Sequence, residues 1–161
     1  MIHVLELPYS KPPLTLNPRG VGMTRGAAFA RARLIRDVRA DAHRLALGGR
    51  LPRKVAHVRV QLHYRPRDNR HRDPINLTAT QKALVDGLRD YGLVADDDSR
   101  YVTDLMPIIH RAEKGQPGRM WLELDIDEPA HCLVCHTTNP PERREGCGPD
   151  CLTDQEESTD E

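Results

Sequence analysis

Residues 56–64 constrain this chain more than any other stretch. Ala56, Val58, Val60, Leu62 and Tyr64 alternate with His57, Arg59, Gln61 and His63. Five consecutive matches to a two-residue period describe a strand with one buried face and one polar face. A strand of that kind needs partners, and the flanking segments offer them. Ile2 to Leu7 reads as a short strand stopped by Pro8. Met120, Leu122, Leu124 and Ile126 alternate with Trp121, Glu123, Asp125 and Asp127 as a second half-buried strand. Tyr101 to Arg111 reads as a third, with Pro107 marking an edge or a bulge. Glu113 to Gly118 supplies a turn into the last strand, forming a closing hairpin.

Two helices are expected between these strands. From about Thr24 to Leu47, the residues Leu34, Ile35, Val38, Ala42 and Leu45 share one helical face, and Gly48-Gly49 provides the stop. Arg31, Arg33, Arg36, Arg39 and Arg44 fill the remainder, either as a solvated face or as a nucleic-acid contact. A second helix runs from about Asn76 or Thr78 to Asp90, with Leu77, Leu84, Leu88 and Tyr91 on its buried side and Gly92 after it. The order β-α-β-α-β-β predicts an α/β (α+β) fold with a mixed sheet of about four strands and two helices. A small Cys-rich C-terminal segment follows. No apolar run approaches the roughly 20 residues that span a bilayer, and the first residues lack the pattern of a secretory leader. Both features argue against a membrane and for a cytoplasmic protein.

Composition enters through charge. The 24 basic and 24 acidic side chains of the 161-residue chain cancel, which at first argues against a nucleic-acid partner. The cancellation is regional. Residues 1–120 carry 22 basic and 12 acidic side chains, a balance of +10; residues 121–161 carry 2 and 12, a balance of −10. A basic body with an acidic end is a hint of nucleic-acid interaction. Arginine, which makes up 20 of the basic residues, suits bidentate phosphate contacts.

The segment from Arg65 to Tyr101 holds the most chemistry. Asp73 precedes the second helix, and Asp96, Asp97 and Asp98 precede the next strand. A helix of about 13 residues advances roughly 19 Å, and an extended return from Gly92 to Asp97 covers roughly 20 Å. An antiparallel return therefore brings Asp97 or Asp98 level with Asp73. Carboxylates converging beside Arg65, Arg67, Arg70 and Arg72 suit a magnesium-dependent phosphodiesterase, because hard oxygens hold the metal and cations hold the DNA backbone. Lys82 and Asp86 lie one helical turn apart and share a face. Simpler roles fit the same residues: a helix cap or Asx-turn at Asp73, a polar turn at 96–98, and a surface pair at Lys82 and Asp86. Spacing alone leaves both readings open.

The runs Arg72-Asp73-Pro74-Ile75-Asn76-Leu77, Lys82-Ala83-Leu84-Val85-Asp86-Gly87-Leu88 and Gly92-Leu93-Val94-Ala95-Asp96-Asp97-Asp98 are similar, in order, to the motifs of the RusA-type Holliday junction resolvases. The similarity extends from Leu7-Pro8 to Leu124 and covers about residues 1–128. It implies a homodimeric, magnesium-dependent endonuclease that makes paired nicks across a four-way DNA junction, in a phage or bacterial setting. Asp73, Asn76 and Lys82 match motif residues, and the late aspartate falls at Asp98, or at Asp97 if the alignment shifts by one. Isoleucine at position 75 stands where the motif has a second aspartate. Asn76, Asp86 or Asp96 would then complete the metal site, or the chain binds branched DNA without cutting it.

The cysteines fall in two pairs, Cys132 with Cys135 and Cys147 with Cys151. Residues 129–151 thus resemble a structural zinc segment with four thiolates closing a tetrahedron, with disulfides or free thiols as the alternatives. Such a segment could also recruit another protein. Residues 152–161, with five acids and one apolar residue, are expected to be a disordered acidic tail that weakens non-specific DNA binding.

Overall fold

The alternation at 56–64 becomes the central strand of a five-stranded mixed sheet. In a computed structural model that describes residues 1–16 and 24–127, β1 (Ile2–Leu7), α1 (Arg25–Gly48) and β2 (His57–Arg65) are followed by a 3-10 turn (Pro74–Leu77) and α2 (Thr78–Tyr91). β3 (Val102–Asp104), β4 (Ile108–Ile109) and β5 (Arg119–Asp127) complete the order. The expected α+β class is thus present. Met1–Asp127 forms one unit; residues 128–161 lie outside the described residues.

β5 sits between β1 and β2 and runs antiparallel to both, with Leu5 opposite Leu122 and Leu62 opposite the same residue. Val58, Val60, Leu62 and Tyr64 of β2 are buried together with Met120, Leu122, Leu124 and Ile126 of β5. Both sets point to the face covered by α1 and α2. Ala56 lies just before the strand and is exposed. The other sheet face carries Arg59, Gln61, Glu123 and Asp125, which stay partly in water, as the period-two pattern requires.

The third expected strand is two short ones. β3 and β4 both run parallel to β2 along its outer edge, pairing Val60 with Asp104 and then His63 with Ile108. The pairing offset grows by one residue between them, a bulge at the Leu105-Met106-Pro107 break. Pro107 has no N–H to offer the ladder, and a buried side chain replaces the missing rung. Gln81 Oε1 accepts from Leu62 N at 3.0 Å, while its Nε2 donates to the Leu105 carbonyl at 2.9 Å.

The closing hairpin expected from the sequence does not form. β2 lies between β4 and β5, so residues 110–118 carry the chain across the end of the sheet from one edge of β2 to the other. β5 can take this inner position because its apolar face is unbroken, whereas the proline restricts β4 to an edge.

Thr24 caps α1, accepting from Ala27 N. Val38, Ala42 and Ala46 form its buried seam; Leu34, expected in the core, is 38% exposed. α1 crosses α2 at Gly87, where a Cβ would fall inside contact distance of the Arg39 carbonyl oxygen and 2.8 Å from Ala42 Cβ. Only glycine allows the helices this close. α2 ends at Gly92, whose φ of 89° is left-handed. Its Thr80 hydroxyl accepts from Leu14 N and donates to Leu14 O, holding the segment after β1 against the helix. No helix among the described residues is long and apolar enough to cross a membrane.

Candidate functional site

α2 presents Lys82, Asp86 and Arg89 at i, i+4 and i+7, one face of the helix, toward the loop that leads to β3. Tertiary structure adds Asp97 to that face. The Lys82 ammonium lies 3.1 Å from Asp86 Oδ1 and also hydrogen-bonds the Asp97 carboxylate. Arg89 Nη1 reaches the other Asp97 oxygen at 3.2 Å. Asp96 turns its carboxylate back to accept the Asp97 N–H at 2.8 Å, which aims the Asp97 side chain at the helix. Asp86 and Asp97 are each about four-fifths buried, while Lys82 is 57% exposed.

Asp97 is therefore a carboxylate between two cations. The hydrogen bond from Lys82 holds its carboxyl well below the usual range, against the opposing effect of burial. The same bond, with help from Asp86, raises the Lys82 ammonium above its ordinary value. Lys82 is therefore a positive charge held between the side chains of Asp86 and Asp97. The wider network runs on through Asp90, which Arg39 of α1 grips at 2.6 and 3.0 Å.

The other expected carboxylates have local partners. Asp73 caps the 3-10 turn, accepting from Ile75 N at 3.0 Å. Asp98 accepts from Arg100 N at 2.8 Å and pairs with the Arg100 guanidinium at 2.6 Å, which lowers its carboxyl. Among the described residues, no three or more His, Cys, Asp or Glu side chains form a group that could hold a metal ion. Asp97 and Asp86 share the Lys82 ammonium, while Asp73 and Asp98 keep these local partners. Asn76 has a buried side-chain oxygen with no hydrogen-bond partner among the described residues. Ile75 is 46% exposed.

The donor chemistry at Asp86 and Asp97 still suits a hard divalent cation. Magnesium takes one or two protein carboxylates and completes its shell with water and substrate phosphate. Asp86 and Asp97 offer oxygens of that type, and both are engaged here by the Lys82 ammonium.

The four loop arginines divide. Arg72 is consumed by the loop itself, donating to the Asp68 carboxylate at 2.5 Å and to the carbonyls of Asp68 and Arg70 at 2.8 Å. Arg65 pairs with Glu113 at 2.8 Å, tying the loop to the crossover. Arg67 and Arg70 remain exposed. Arg72 and Arg65 therefore shape the loop, while Arg67, 3.9 Å from Asp68, and Arg70 extend into solvent.

A shallow cavity of about 380 Å³ opens beside Lys82 and Asp86, walled by Ala79 and Ala83 of α2 and by Arg31 and Ile35 of α1. Sequence reading missed Arg89, although its i+7 spacing from Lys82 was a usable signal. It also missed Gln81, whose role depends on a strand break 24 residues away and has no local signature. The zinc site expected at Cys132, Cys135, Cys147 and Cys151 falls outside the described residues, and so does the acidic tail at 152–161. The absence of a metal-binding group among the described residues therefore bears on the aspartates and leaves Cys132, Cys135, Cys147 and Cys151 aside. No protein-family model and no curated protein matches the chain.

Proposed function

We propose that the chain is a magnesium-dependent endonuclease of branched DNA, with the four-way junction as its substrate. On this reading it acts as a homodimer in a bacterial cytoplasm. One observation carries the reading. Lys82, Asp86 and Asp97, which the sequence alone left open as a surface pair and a polar turn, converge on one spot together with Arg89.

On this reading Asp86 and Asp97 would hold the metal, which when bound polarises the phosphate and activates water. Lys82 offers a permanent charge to the oxyanion that develops on the phosphate. Arg89 and the Asp96 carboxylate keep Asp97 aimed. Arg67 and Arg70 bind flanking phosphates. Asp73 supports the start of α2 and so positions Lys82.

A second reading rests on Ile75, which stands where the resembled motif has an aspartate: the chain would bind branched DNA and leave it uncut. A labelled four-way junction and a matched duplex, each with magnesium or with chelator, separate the two. Symmetric nicks that need magnesium and vanish in Asp97→Asn are the expected result. Junction-selective binding without nicks favours the second reading, and equal treatment of junction and duplex overturns both.

A further inference from the structure

The outward face of α1 carries Arg25, Phe29, Arg33 and Arg36 at i, i+4, i+8 and i+11. At 100° per residue these four fall within an arc of about 80°. Val38, Ala42 and Ala46, the buried seam, lie on the opposite side. Phe29, the single phenylalanine of the chain, is 75% exposed. The three arginines are exposed and make no ion pair among the described residues. The stripe is about 16 Å long.

Two features make this stripe costly for the protein alone. The N-terminal end of a helix carries the positive pole of its dipole and favours acids. Here the first turn holds no acid and begins with Arg25, and Asp37 is the first acidic residue in the helix. An exposed phenylalanine among these cations is likewise not accounted for by packing. Both costs disappear against a polyanion that also offers flat apolar surfaces.

We propose that this α1 stripe is a DNA-docking surface, in which Arg25, Arg33 and Arg36 neutralise phosphates and Phe29 stacks on a base exposed at a branch point. The inference rests on the branched-DNA reading above and assigns it a second contact, separate from the Lys82 cluster and from the 65–72 loop. Phosphates recur along a duplex at a spacing that three guanidiniums over this length can follow. Aromatic side chains stack on any unpaired base and also wedge into unstacked steps. A lipid surface is the weaker match, because a membrane-lying helix needs a broad apolar face, and this stripe has one large apolar side chain.

The test uses the full chain, a labelled four-way junction and a matched duplex over a range of salt. Phe29→Ala should weaken junction binding about 10-fold and leave duplex binding unchanged. The triple variant Arg25→Gln, Arg33→Gln, Arg36→Gln should weaken both, and should lower the slope of log K against log salt by about 3. All four side chains project into solvent, so circular dichroism should report unaltered folding. Wild-type preference for the junction with unchanged affinity and slope in both variants overturns the inference and leaves the nuclease reading standing. A wild type that binds no DNA overturns both. Binding to phosphatidylserine vesicles that Phe29→Ala abolishes, with DNA binding intact, reassigns the stripe to lipid and also overturns it.

Discussion

Replacing Gly87 by alanine sets two physical effects of opposite sign against each other. Gly87 lies in the interior of α2, where alanine is intrinsically better than glycine by up to about 1 kcal/mol. By propensity alone the substitution stabilises. The crossing geometry says the reverse. The new methyl would lie 2.8 Å from Ala42 Cβ and closer still to the Arg39 carbonyl oxygen, where carbon contacts are ordinarily about 3.5–4.0 Å. The obstacle is largely backbone, so no side-chain rotation relieves it. α1 must retreat by about 1 Å, and that loosens Val38, Ala42 and Ala46, all essentially fully buried. A gap of that size forfeits roughly a quarter to a half of the local dispersion energy, and overpacking typically costs about 1–3 kcal/mol. With the backbone clash at the upper end, the net expectation is a loss of about 2 kcal/mol, or roughly 8 °C in Tm for a domain of this size. Urea unfolding followed through Trp121, the single tryptophan, measures it, with an unchanged m-value showing that only stability moved. Gly26→Ala is the control: it is helical with nothing within 4 Å of the added methyl, and should be neutral or slightly stabilising. A Gly87→Ala protein as stable as wild type, or more so, refutes the close-crossing argument.

Two further expectations concern buried polar groups. Gln81→Leu removes the partner of Leu62 N and of the Leu105 carbonyl; with buried groups left unpaired it should cost about 2–3 kcal/mol, and hydrogen exchange at Leu62 should rise by more than at Val58. His63 is buried on the polar sheet face with its Nδ1 3.0 Å from His110 Nε2, and both rings lie nearly parallel to Trp121. Burial lowers the His63 pKa, with Glu123 opposing and His110 assisting. Between that value and the unfolded value of about 6.5, the unfolded chain binds more protons. Stability should therefore be intact above about pH 6.5 and be lost as pH falls through the folded pKa. A denaturant series from pH 8 to pH 5 checks this, and His63→Gln should flatten the dependence; a pH-independent midpoint in the wild type would refute it.

Much of this architecture was legible in the residues. The two-residue period of β2 and β5 put Val58, Val60, Leu62, Met120, Leu122 and Leu124 in the core, because alternation admits one buried face per strand. Leu77, Leu84, Leu88 and Tyr91 were equally readable on α2, and Thr24 and Gly92 marked helix ends. Pro107 announced a break in the third strand, since a residue without an N–H cannot serve a ladder. Strand order was not legible. An antiparallel pair joined by a short turn reads locally as a hairpin, and which neighbour β5 takes depends on apolar area summed over the whole sheet.

The candidate site divides along the same line. Sequence by itself determined that Lys82 and Asp86 share a helical face and that acids cluster at 96–98, because helical spacing and composition are local properties. Tertiary structure alone decided that Lys82 pairs with Asp97 as well as Asp86, because that depends on how the chain returns from Gly92 across the helix. It also decided that Arg72 braces its own loop while Arg67 and Arg70 stay open, and that α1 shows Phe29 to solvent. A charge on a sequence has no partner until the fold brings one within a few ångströms, and the pairing then sets its chemistry.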